Sequence, residues 1–417
     1  MIPRVKGTQD FLDLTLFNYS IEVIKKYLML HHFTEIATPI IEYTTLFQRS
    51  LGEQTDVVSK EMFILESRDP EDPSMCLRPE VTAPTVRAFV ENHIQTLPWK
   101  VFSYGPMFRY ERPQKGRYRQ FHQLNLEIIG SSSVCQDVHL ITMLDRLFHE
   151  GFGMNNYALL INFLGTREDR ARYREKLGTF LSSIADRLCK TCAERREKNM
   201  MRIFDCKNQT CQELYDKAPH ITDHLSAQSR AEWDHIQAQL SALSISFSYE
   251  PKLVRGLDYY NKTVFEFVSG NLGAQNTFCG GGRYDHLAHE LGAKEDYPSL
   301  GAAIGIERLL LLLEPLRETL PIPALPPLHV VMPYSEKQYT LALLIADTLL
   351  AAGFCVEPLL EGDSMKSMMR KANKAGARYC IIIGDDEQQA HEVTIKNMMT
   401  GEDMRVAQRD MVATLKK

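Results

Sequence analysis

The sequence predicts an α+β domain with an antiparallel sheet flanked by helices, a small helical insertion in that domain, and a C-terminal doubly wound α/β domain. Three observations lead to this fold class. Residues 121–128 alternate between polar and apolar side chains, which is typical of a half-buried strand. Residues 165–240 are charged, helical in character and contain cysteines. Beyond residue 328, strand and helix patterns alternate.

Composition limits the possible classes of protein. A chain of 417 residues is too long for one ordinary domain, and a hydrophobic content of 44% supports well-formed cores. The formal net charge of −5 argues against a generally basic nucleic-acid-binding surface. Any contact with nucleic acid must therefore use local basic patches.

Cysteine usage and the N-terminus predict a soluble, cytoplasmic protein. The nine cysteines lack the dense pattern of a secreted scaffold, which indicates reduced thiols or metal ligands. Residues 1–6 contain no apolar signal region. Apolar runs such as residues 309–313 are too short to span a bilayer.

The pattern along the chain predicts the individual elements in order. An amphipathic helix is expected at about 14–31, short strands and helices up to about 130, and a strand at 263–268. The proline-rich residues 314–328 predict a semi-rigid linker. After it we expect strands at 329–332, 354–357 and 379–383, separated by helices at 336–352 and 364–375.

The most informative segment is 108–127, where an arginine-rich turn leads into the alternating strand. Leu124, Leu126 and Ile128 point to one face of that strand. The opposite face carries an aromatic ring, amides and a carboxylate, contributed by Phe121, Gln123, Asn125 and Glu127. Such a set suits a polyanion with a planar base together with a small polar substrate. The alternative is a solvated, charged hairpin.

Three further segments favour a functional site over that alternative. Residues 253–261 place an arginine, an aspartate and two tyrosines just before an apolar strand. Residues 279–285 contain three consecutive glycines, which allow close approach of a ligand or a neighbouring strand. Residues 301–308 form a small-residue strand that ends in Glu-Arg. Together they predict arginines, tyrosines and carboxylates at the ends of several strands of an antiparallel active-site sheet.

In order, the chain carries Lys-Gly-Thr-Gln-Asp at 6–10, Leu-Arg-Pro-Glu-Val-Thr at 77–82, Phe-Arg-Tyr-Glu-Arg-Pro at 108–113, Arg-Gly-Leu-Asp-Tyr-Tyr at 255–260, Gly-Gly-Gly-Arg-Tyr-Asp at 280–285 and Gly-Ile-Glu-Arg at 305–308. The whole chain thereby resembles the bacterial-type histidyl-tRNA synthetases, a family of class II aminoacyl-tRNA synthetases. The resemblance implies a ligase that activates L-histidine with ATP and transfers it to the 3′ end of histidine tRNA. It also implies an α+β catalytic domain at 1–164 and 246–320, a helical insertion at 165–245 and an anticodon-binding α/β domain at 321–417.

The resemblance implies roles for the residues that match the family motifs. Arg109 binds the α-phosphate of ATP, Arg117 and Arg308 hold the γ-phosphate, and Phe121 stacks on adenine. Arg255 is the catalytic residue, between the histidine carboxylate and the α-phosphate, in the place of a metal ion in other class II enzymes. Mg²⁺ neutralises the β- and γ-phosphates. Fixed cations of this kind suit a reaction in which negative charge develops on oxygen.

For histidine, the resemblance implies a second group of residues. The α-amino group is bound by Glu80, Thr82 and Gln123, and the two imidazole nitrogens by Glu127 and Tyr260. Tyr259 lines the pocket, and Val81, in the same motif as Glu80, is also expected to bind histidine. A site of this kind rejects apolar amino acids because its buried polar groups would be left unpaired, so no editing domain is required.

The same resemblance implies contacts with tRNA and with a second subunit. Gln114 and Arg119 match positions that meet the extra 5′ guanosine of histidine tRNA, and the family is homodimeric through a segment here at 37–49. The basic residues Lys366, Arg370, Lys371, Lys374 and Arg378 support the anticodon role weakly, and a solvated helix face is the alternative. A regulatory paralogue and a non-catalytic RNA-binding module are the rival functions.

Four of the cysteines form a separate cluster in the expected insertion. Cys189, Cys192, Cys206 and Cys211 have C-x2-C and C-x4-C spacings, which resemble those of a four-thiolate structural Zn²⁺ site. The second spacing is loose, so four reduced thiols in a small helical domain remain the alternative.

Overall fold

The computed structural model of the chain describes residues 2–53, 55–69, 71–273 and 276–416. The chain divides into two compact units, Met1–Ile322 and Pro323–Lys417. The boundary between them lies within the proline-rich stretch at 314–328. No helix in the described ranges is both long and apolar enough to cross a membrane.

The strands of the first unit form a large sheet and a small one. The strands are β1 (Thr34–Glu35), β2 (Ile41–Tyr43), β3 (Phe63–Ile64), β4 (Met75–Leu77), β5 (Trp99–Phe108), β6 (Gln120–Ile129), β7 (Ala158–Phe163), β8 (Ser248–Tyr249), β9 (Asn261–Val268), β10 (Thr277–Arg283) and β11 (Ser299–Gly305). The large sheet has the strand order β1-β5-β6-β11-β10-β9-β7-β8, and the small sheet has the order β2-β4-β3. The pairings from β5 through to β7 are antiparallel, as predicted, whereas the short edge strands β1 and β8 pair in parallel.

The helices of the first unit pack in two apolar cores. They include α1 (Thr15–Leu30), α2 (Thr44–Leu51), α3 (Thr82–Glu91), α4 (Cys135–Arg146), α5 (Arg167–Ser183), α6 (Lys190–Lys198), α7 (Gln209–Tyr215), α8 (Ala227–Ala242), α9 (Leu287–Glu290) and α10 (Ile306–Leu313). Apolar residues of α1, α4, α8 and α10 share one core with Leu124, Leu126 and Ile128 of β6. This core leaves the opposite face of β6 for polar side chains.

The segment expected to be a helical insertion joins β7 to β8. Thr166 and Asp169 form a capping box that begins α5 directly after β7. Four helices, α5 to α8, and intervening single turns follow in the described chain. Apolar residues of α5, α6 and α7 pack in a core that also contains Tyr259, Tyr260 and Tyr284, whereas those of α8 pack in the core shared with β6.

The second unit is a sheet with helices on both faces. The strand order of this sheet is β13-β12-β14-β15-β16. The strands are β12 (Leu328–Pro333), β13 (Cys355–Pro358), β14 (Tyr379–Ile383), β15 (Glu392–Asn397) and β16 (Asp403–Ala407). The helices are α11 (Tyr339–Ala351), α12 (Met365–Lys374), α13 (Asp385–Ala390) and α14 (Met411–Leu415). Helices α11 and α14 pack in one core and α12 in another, so the predicted doubly wound arrangement is confirmed.

Two details of the structure differ from the expectations. The strand pattern ended at residue 383, yet β15 and β16 extend the second sheet with antiparallel pairings. These short strands bury few side chains, so their alternation is weak in the sequence. In addition, Glu307 and Arg308 lie in the first turn of α10 and not at the end of a strand.

Candidate active site

The polar face of β6 lies over a floor of small residues. In the antiparallel register, Gln123, Asn125 and Glu127 face Gly305, Ala303 and Gly301 of β11. Gly280 of β10 lies opposite Ala303 in turn. Paired residues in adjacent strands project to the same side of a sheet. The small residues therefore leave open space above the sheet, into which the polar side chains of β6 project.

Two buried carboxyl groups lie at one end of this face. Glu80 precedes α3 and accepts the backbone N–H groups of Thr82, at 2.8 Å, and Ala83, at 2.9 Å. The Thr82 hydroxyl donates to Oε1 of Glu127 at 2.7 Å, and the Tyr284 hydroxyl donates to the other oxygen. Hydrogen bonds thus hold both carboxyl groups in fixed positions.

The environment of these carboxyl groups favours a cationic ligand. Burial raises the pKa of Glu80, and it raises the pKa of Glu127 to about 8. Each carboxyl group also raises the cost of ionising the other, since Glu80 contributes to the shift at Glu127. A ligand ammonium group placed between them would relieve both effects.

Three tyrosines line this end of the site. The rings of Tyr259 and Tyr260 have centroids 4.5 Å apart, and those of Tyr259 and Tyr284 are 5.6 Å apart. All three are buried. Tyr259 and Tyr260 come from the loop that precedes β9, whereas Tyr284 follows β10. The result is an aromatic wall beside two carboxyl groups, which fits a flat polar side chain.

The other end of the face is rich in arginine. The Arg109 guanidinium lies 5.4 Å from the centroid of the Phe121 ring, and its Nε donates to the Pro79 carbonyl at 2.9 Å. Arg308 donates from Nε to the Gly116 carbonyl at 2.8 Å, next to Arg117 in the turn. Arg117 is held by Glu111 and lies 3.6 Å from Glu61.

These arginines repel one another. Burial, together with the nearby charges of Arg109 and Arg117, lowers the pKa of Arg308 to about 10. Within the described residues, the guanidinium of Arg308 donates only to backbone carbonyl groups. Such a cluster gains stability when an anion with several charged oxygens binds between its members.

Arg255 is held in place by a carboxylate. It forms an ion pair with Glu266 of β9, and Thr277 donates to the other oxygen of Glu266 at 2.8 Å. Burial lowers the pKa of Arg255, but the negative charge of Glu266 opposes this effect, and the net result is a raised pKa. A Cβ atom on Gly280 would lie 2.6 Å from Nη1 of Arg255, so the glycine makes room for this side chain.

The turn between β5 and β6 is closed by reciprocal backbone bonds between Gln114 and Arg117, at 3.1 and 2.9 Å. The Gln114 side chain is exposed at its tip. Arg119 stacks on Tyr110, with the guanidinium carbon 3.8 Å from the ring centroid. Both residues expected to meet tRNA therefore lie on the turn that carries Arg117.

Three carboxylates near the motifs have structural partners. Asp285 accepts from Arg283, at 3.2 Å, and from Asn261, at 3.0 Å. Glu307 accepts the backbone N–H of His122 at 2.9 Å and also contacts its ring. Asp258 accepts from Asn199 at 2.9 Å. These contacts indicate that the three residues support the site and do not line it.

The structure brings most of the expected histidine and ATP residues onto one sheet face. Gln123 and Asn125 each have a buried carbonyl oxygen that lacks a hydrogen-bond partner in the described part of the chain, which suits a ligand donor. Val81 is fully buried at the start of α3, so its side chain belongs to the core.

Sequence reasoning gave no role to Glu266, Tyr284 or Gly301. Glu266 had a detectable signal, because it is a charged residue within an apolar strand. Tyr284 was visible as part of a motif, but its contact with Glu127 joins residues 157 positions apart. Gly301 gave no signal, since it is one of several small residues in its strand.

Gly301→Ala should abolish the binding of histidine, the ligand that the resemblance implies for this site, while the protein remains folded. A Cβ atom at this position would overlap Oε2 of Glu127 and displace the carboxylate from Thr82 and Tyr284. We expect a loss of about 1–3 kcal/mol in the free energy of unfolding from overpacking, measured by urea denaturation. Gly305→Ala is the matched control, because its Cβ would meet only ordinary contacts, the nearest at 3.6 Å. Equal histidine affinity in both variants would contradict the steric role.

The four cysteines expected to bind metal come together in the structure. Their sulfur atoms all lie within 4.8 Å of one another. They are thiols in the described structure, and Cys192, Cys206 and Cys211 are buried. Cys189 and Cys192 flank the start of α6, Cys206 precedes α7, and Cys211 lies within it. We refer to residues 189–215 as the cysteine module.

Comparison with known proteins assigns the chain to a family. A family model described as Histidyl-tRNA synthetase matches residues 22–309. The chain belongs to the histidyl-tRNA synthetase family. A second model, described as Anticodon binding domain, matches residues 329–417 of this synthetase. Both matches confirm the resemblance inferred from the motifs.

Relatives of this synthetase match over its full length. The chain is 42% identical to a histidine–tRNA ligase of Halothermothrix orenii, covering 99% of this chain and 98% of the relative. It is also 42% identical to that of Aquifex aeolicus, covering 97% and 98%. The crystal structure of apo histidyl-tRNA synthetase from S. aureus superposes with a TM-score of 0.81 at 32% identity, covering 100% of both chains.

Proposed function

We propose that the polar face of β6 is the active site of a histidine–tRNA ligase and that its two ends bind different parts of the substrates. The enzyme activates L-histidine with ATP to histidyl-adenylate and transfers the histidyl group to the 3′ end of histidine tRNA. One observation carries the assignment of residues: a buried pair of carboxyl groups and a cluster of repelling arginines lie on one sheet face, with Arg255 nearby. This arrangement suits an amino acid whose carboxylate approaches a polyphosphate.

Histidine occupies the carboxyl end. Glu80, Thr82 and Gln123 bind its α-amino group, and the raised pKa of Glu80 supports a cation there. Glu127 and Tyr260 bind the imidazole nitrogens, while Tyr259 packs against the ring. The rigid contacts of Glu127 with Thr82 and Tyr284 support this role, because an oriented carboxylate can select one nitrogen position. Val81 acts through its backbone position only.

ATP occupies the arginine end. Arg109 binds the α-phosphate, and Arg117 and Arg308 bind the γ-phosphate. Phe121 stacks on adenine, with Arg109 already over its ring. Mg²⁺ neutralises the outer phosphates when bound. The carboxylates of Glu111 and Glu266 lie beside these arginines and are oxygen donors of the type that Mg²⁺ takes.

Arg255 stabilises the transition state of adenylate formation. As the histidine carboxylate attacks the α-phosphorus, negative charge grows on the phosphate oxygens and pyrophosphate leaves. A guanidinium fixed in advance by Glu266 can stabilise that charge without reorganising. The raised pKa of Arg255 ensures that it remains charged throughout.

Two regions contact the tRNA. The exposed tip of the β5–β6 turn presents Gln114 and Arg119 to the acceptor end, next to the ATP-binding Arg117. In the second unit, α12 and the turn after it expose basic side chains, although Asp363 and Glu361 already pair with Lys371. Phosphate contacts of this kind position the tRNA, whereas base contacts specify it. The exposed basic side chains are Lys366, Arg370, Lys371, Lys374 and Arg378.

The two rival functions are less well supported. A regulatory paralogue usually lacks the C-terminal α/β domain and the ATP-binding arginines, and this chain retains both. A non-catalytic RNA-binding module would have no reason to preserve buried carboxyl groups and Arg255 on one face. Histidine-dependent exchange between ATP and pyrophosphate, measured with each of the twenty amino acids, tests the function. Exchange driven by a different amino acid would refute the assignment.

The enzyme is a homodimer through the segment 37–49. Support comes from β2 and the residue before it, where Ile40, Ile41 and Tyr43 are exposed to 40%, 51% and 54%. Contiguous apolar side chains of this kind mark an interaction surface. A monomer in sedimentation equilibrium at micromolar concentration would refute this proposal.

The cysteine module holds one structural Zn²⁺ ion. Tetrahedral coordination with Zn–S bonds of about 2.3 Å places the sulfur atoms roughly 3.8 Å apart. The Sγ atoms of Cys189 and Cys206 are 3.8 Å apart. Backbone N–H groups of Cys189 and Asn208 point at the sulfurs of Cys211 and Cys206, each at 3.4 Å, and such bonds stabilise thiolates. The donor set therefore fits zinc better than four protonated thiols.

Protein purified without chelator should contain about one equivalent of zinc per chain. Cys206→Ser should lose most of that metal, because it removes one of four thiolate ligands. Cys355→Ser, at an exposed cysteine in the second unit, is the control and should retain it. Elemental analysis by plasma mass spectrometry measures both. A zinc content below about one-tenth equivalent in the wild type would exclude the site.

A further inference from the structure

The cysteine module contacts two loops that carry active-site residues. One is the loop 253–260, which holds Arg255, Tyr259 and Tyr260. The other is the segment 52–61, which ends at Glu61. The module is not needed to complete the sheet, so these contacts require an explanation.

The first contact fixes the histidine-binding loop. Asn199, at the end of α6, donates from Nδ2 to Oδ1 of Asp258 at 2.9 Å. Asp258 directly precedes Tyr259. Its other oxygen lies against Gly52, where a Cβ atom would come within 2.6 Å. Asp258 is thereby clamped between the module and the segment 52–61.

The second contact fixes the segment next to the ATP end. Asp56 accepts from Arg195 at 3.2 Å and from Arg202 at 3.3 Å, and both arginines belong to the module. The same segment then reaches Glu61, whose carbonyl accepts the Tyr110 N–H at 2.6 Å and whose carboxylate lies 3.6 Å from Arg117. Arg195 also donates to the Arg202 carbonyl at 3.1 Å, which joins the two halves of the module.

The core of the module is continuous with the aromatic wall. Cys192, Cys206 and Cys211 pack in the same apolar cluster as Tyr259 and Tyr260. The metal ligands and the histidine pocket therefore belong to one packed body, and close-packed interiors transmit displacements. Loss of the metal would loosen the chain that presents Arg195, Asn199 and Arg202.

We propose that the metal-loaded cysteine module is a brace that positions both loops, with Asn199 acting on the histidine pocket through Asp258 and Arg195 acting on the ATP end through Asp56. This inference rests on the zinc site and on the ligase function proposed above. Asn199, Arg195 and Arg202 are positioning residues, because they touch neither substrate. The module thereby links zinc occupancy to substrate affinity.

Single variants of the zinc-loaded enzyme test separately the contact of Asn199 with Asp258 and the contact of Arg195 with Asp56. Asn199→Ala should raise the KM for histidine about threefold and leave the KM for ATP unchanged, since one exposed hydrogen bond to a carboxylate is lost. Asn199→Asp should raise the KM for histidine roughly tenfold, because the new carboxylate would face that of Asp258. Arg195→Ala should raise the KM for ATP instead. Lys198→Ala, which removes an exposed charge from the same helix, is the control and should change neither value.

Removal of zinc tests the dependence on metal. Chelator-treated enzyme should show a histidine KM raised about tenfold, restored by added Zn²⁺, in the pyrophosphate-exchange assay. Unchanged KM values after verified zinc loss would overturn the metal dependence. Wild-type KM values in Asn199→Asp and Arg195→Ala with full zinc content would overturn the brace itself, even if chelation unfolds the protein. Absence of zinc from the purified wild type would refute the zinc site and the metal dependence together, while histidine-driven exchange would still support the ligase function.

Discussion

Arg255→Ala should abolish adenylate formation while leaving the fold largely intact. We expect kcat for histidine-dependent pyrophosphate exchange to fall by about 10²- to 10³-fold or more, because a preorganised donor to the developing oxyanion is lost. The effect should appear mainly in kcat, since the charge of Arg255 is required in the transition state. Steady-state exchange kinetics, with circular dichroism as the test of folding, measure it.

Two further variants exclude trivial explanations for that loss. The ion pair with Glu266 is removed together with Arg255, so the double variant Arg255→Ala and Glu266→Gln should recover stability without recovering activity. Arg112→Ala removes an exposed arginine from the neighbouring motif and should retain most of the activity. Exchange near the wild-type rate in Arg255→Ala would refute the catalytic role.

Glu127→Gln should weaken histidine binding far more than ATP binding. The substitution preserves shape but replaces one oxygen, which accepts from Thr82 or Tyr284, with a donor group. We expect the KM for histidine to rise roughly 10²-fold and that for ATP to change less than about threefold, as when a buried charged hydrogen bond is lost. Both constants come from the exchange assay.

The matched control for this change is Glu232→Gln. Glu232 is also a largely buried carboxylate in an ion pair, with Lys262 at 3.0 Å, but it lies on α8 away from the sheet face. Its substitution should leave both KM values near wild type. Equal losses of histidine and ATP affinity in Glu127→Gln would count against the imidazole contact.

The pH dependence of histidine binding provides an independent readout of Glu127. Because burial raises its pKa to about 8, the carboxyl group is mostly protonated at neutral pH in the free enzyme. The ionised fraction grows as the pH rises through that value, and the ionised form is the better acceptor. Histidine affinity of the wild type, relative to that of Glu127→Gln, should therefore strengthen by roughly tenfold between pH 6.5 and 8. Isothermal titration of both proteins in parallel measures this difference.

Much of the site could be predicted because the residues involved lie in short, ordered motifs. The alternation along β6 separated Leu124 and Leu126 from Asn125 and Glu127, and the core confirms that separation. The arginines and tyrosines were visible as residue types at the ends of strands. The cysteine cluster was visible through its spacing, and the sulfur positions agree with it.

Other parts of the site could not be predicted, because they depend on contacts between distant segments. The pairing of Arg255 with Glu266 and the clearance at Gly280 arise from the register of β9 and β10. The overlap that an alanine at Gly301 would cause with Glu127 depends on the register of β6 and β11. No local pattern encodes a distance between two strands.

By itself, the sequence determined the family, the fold class and the residue types of the site, since these depend on local periodicity and on motifs. Only the tertiary structure decided which of those residues act together. Burial raises the pKa of Glu127, burial together with the charges of Arg109 and Arg117 lowers that of Arg308, and the cysteine module contacts both active-site loops. The physical reason is that desolvation and charge interactions depend on distances in space, which the chain defines only when its strands are paired.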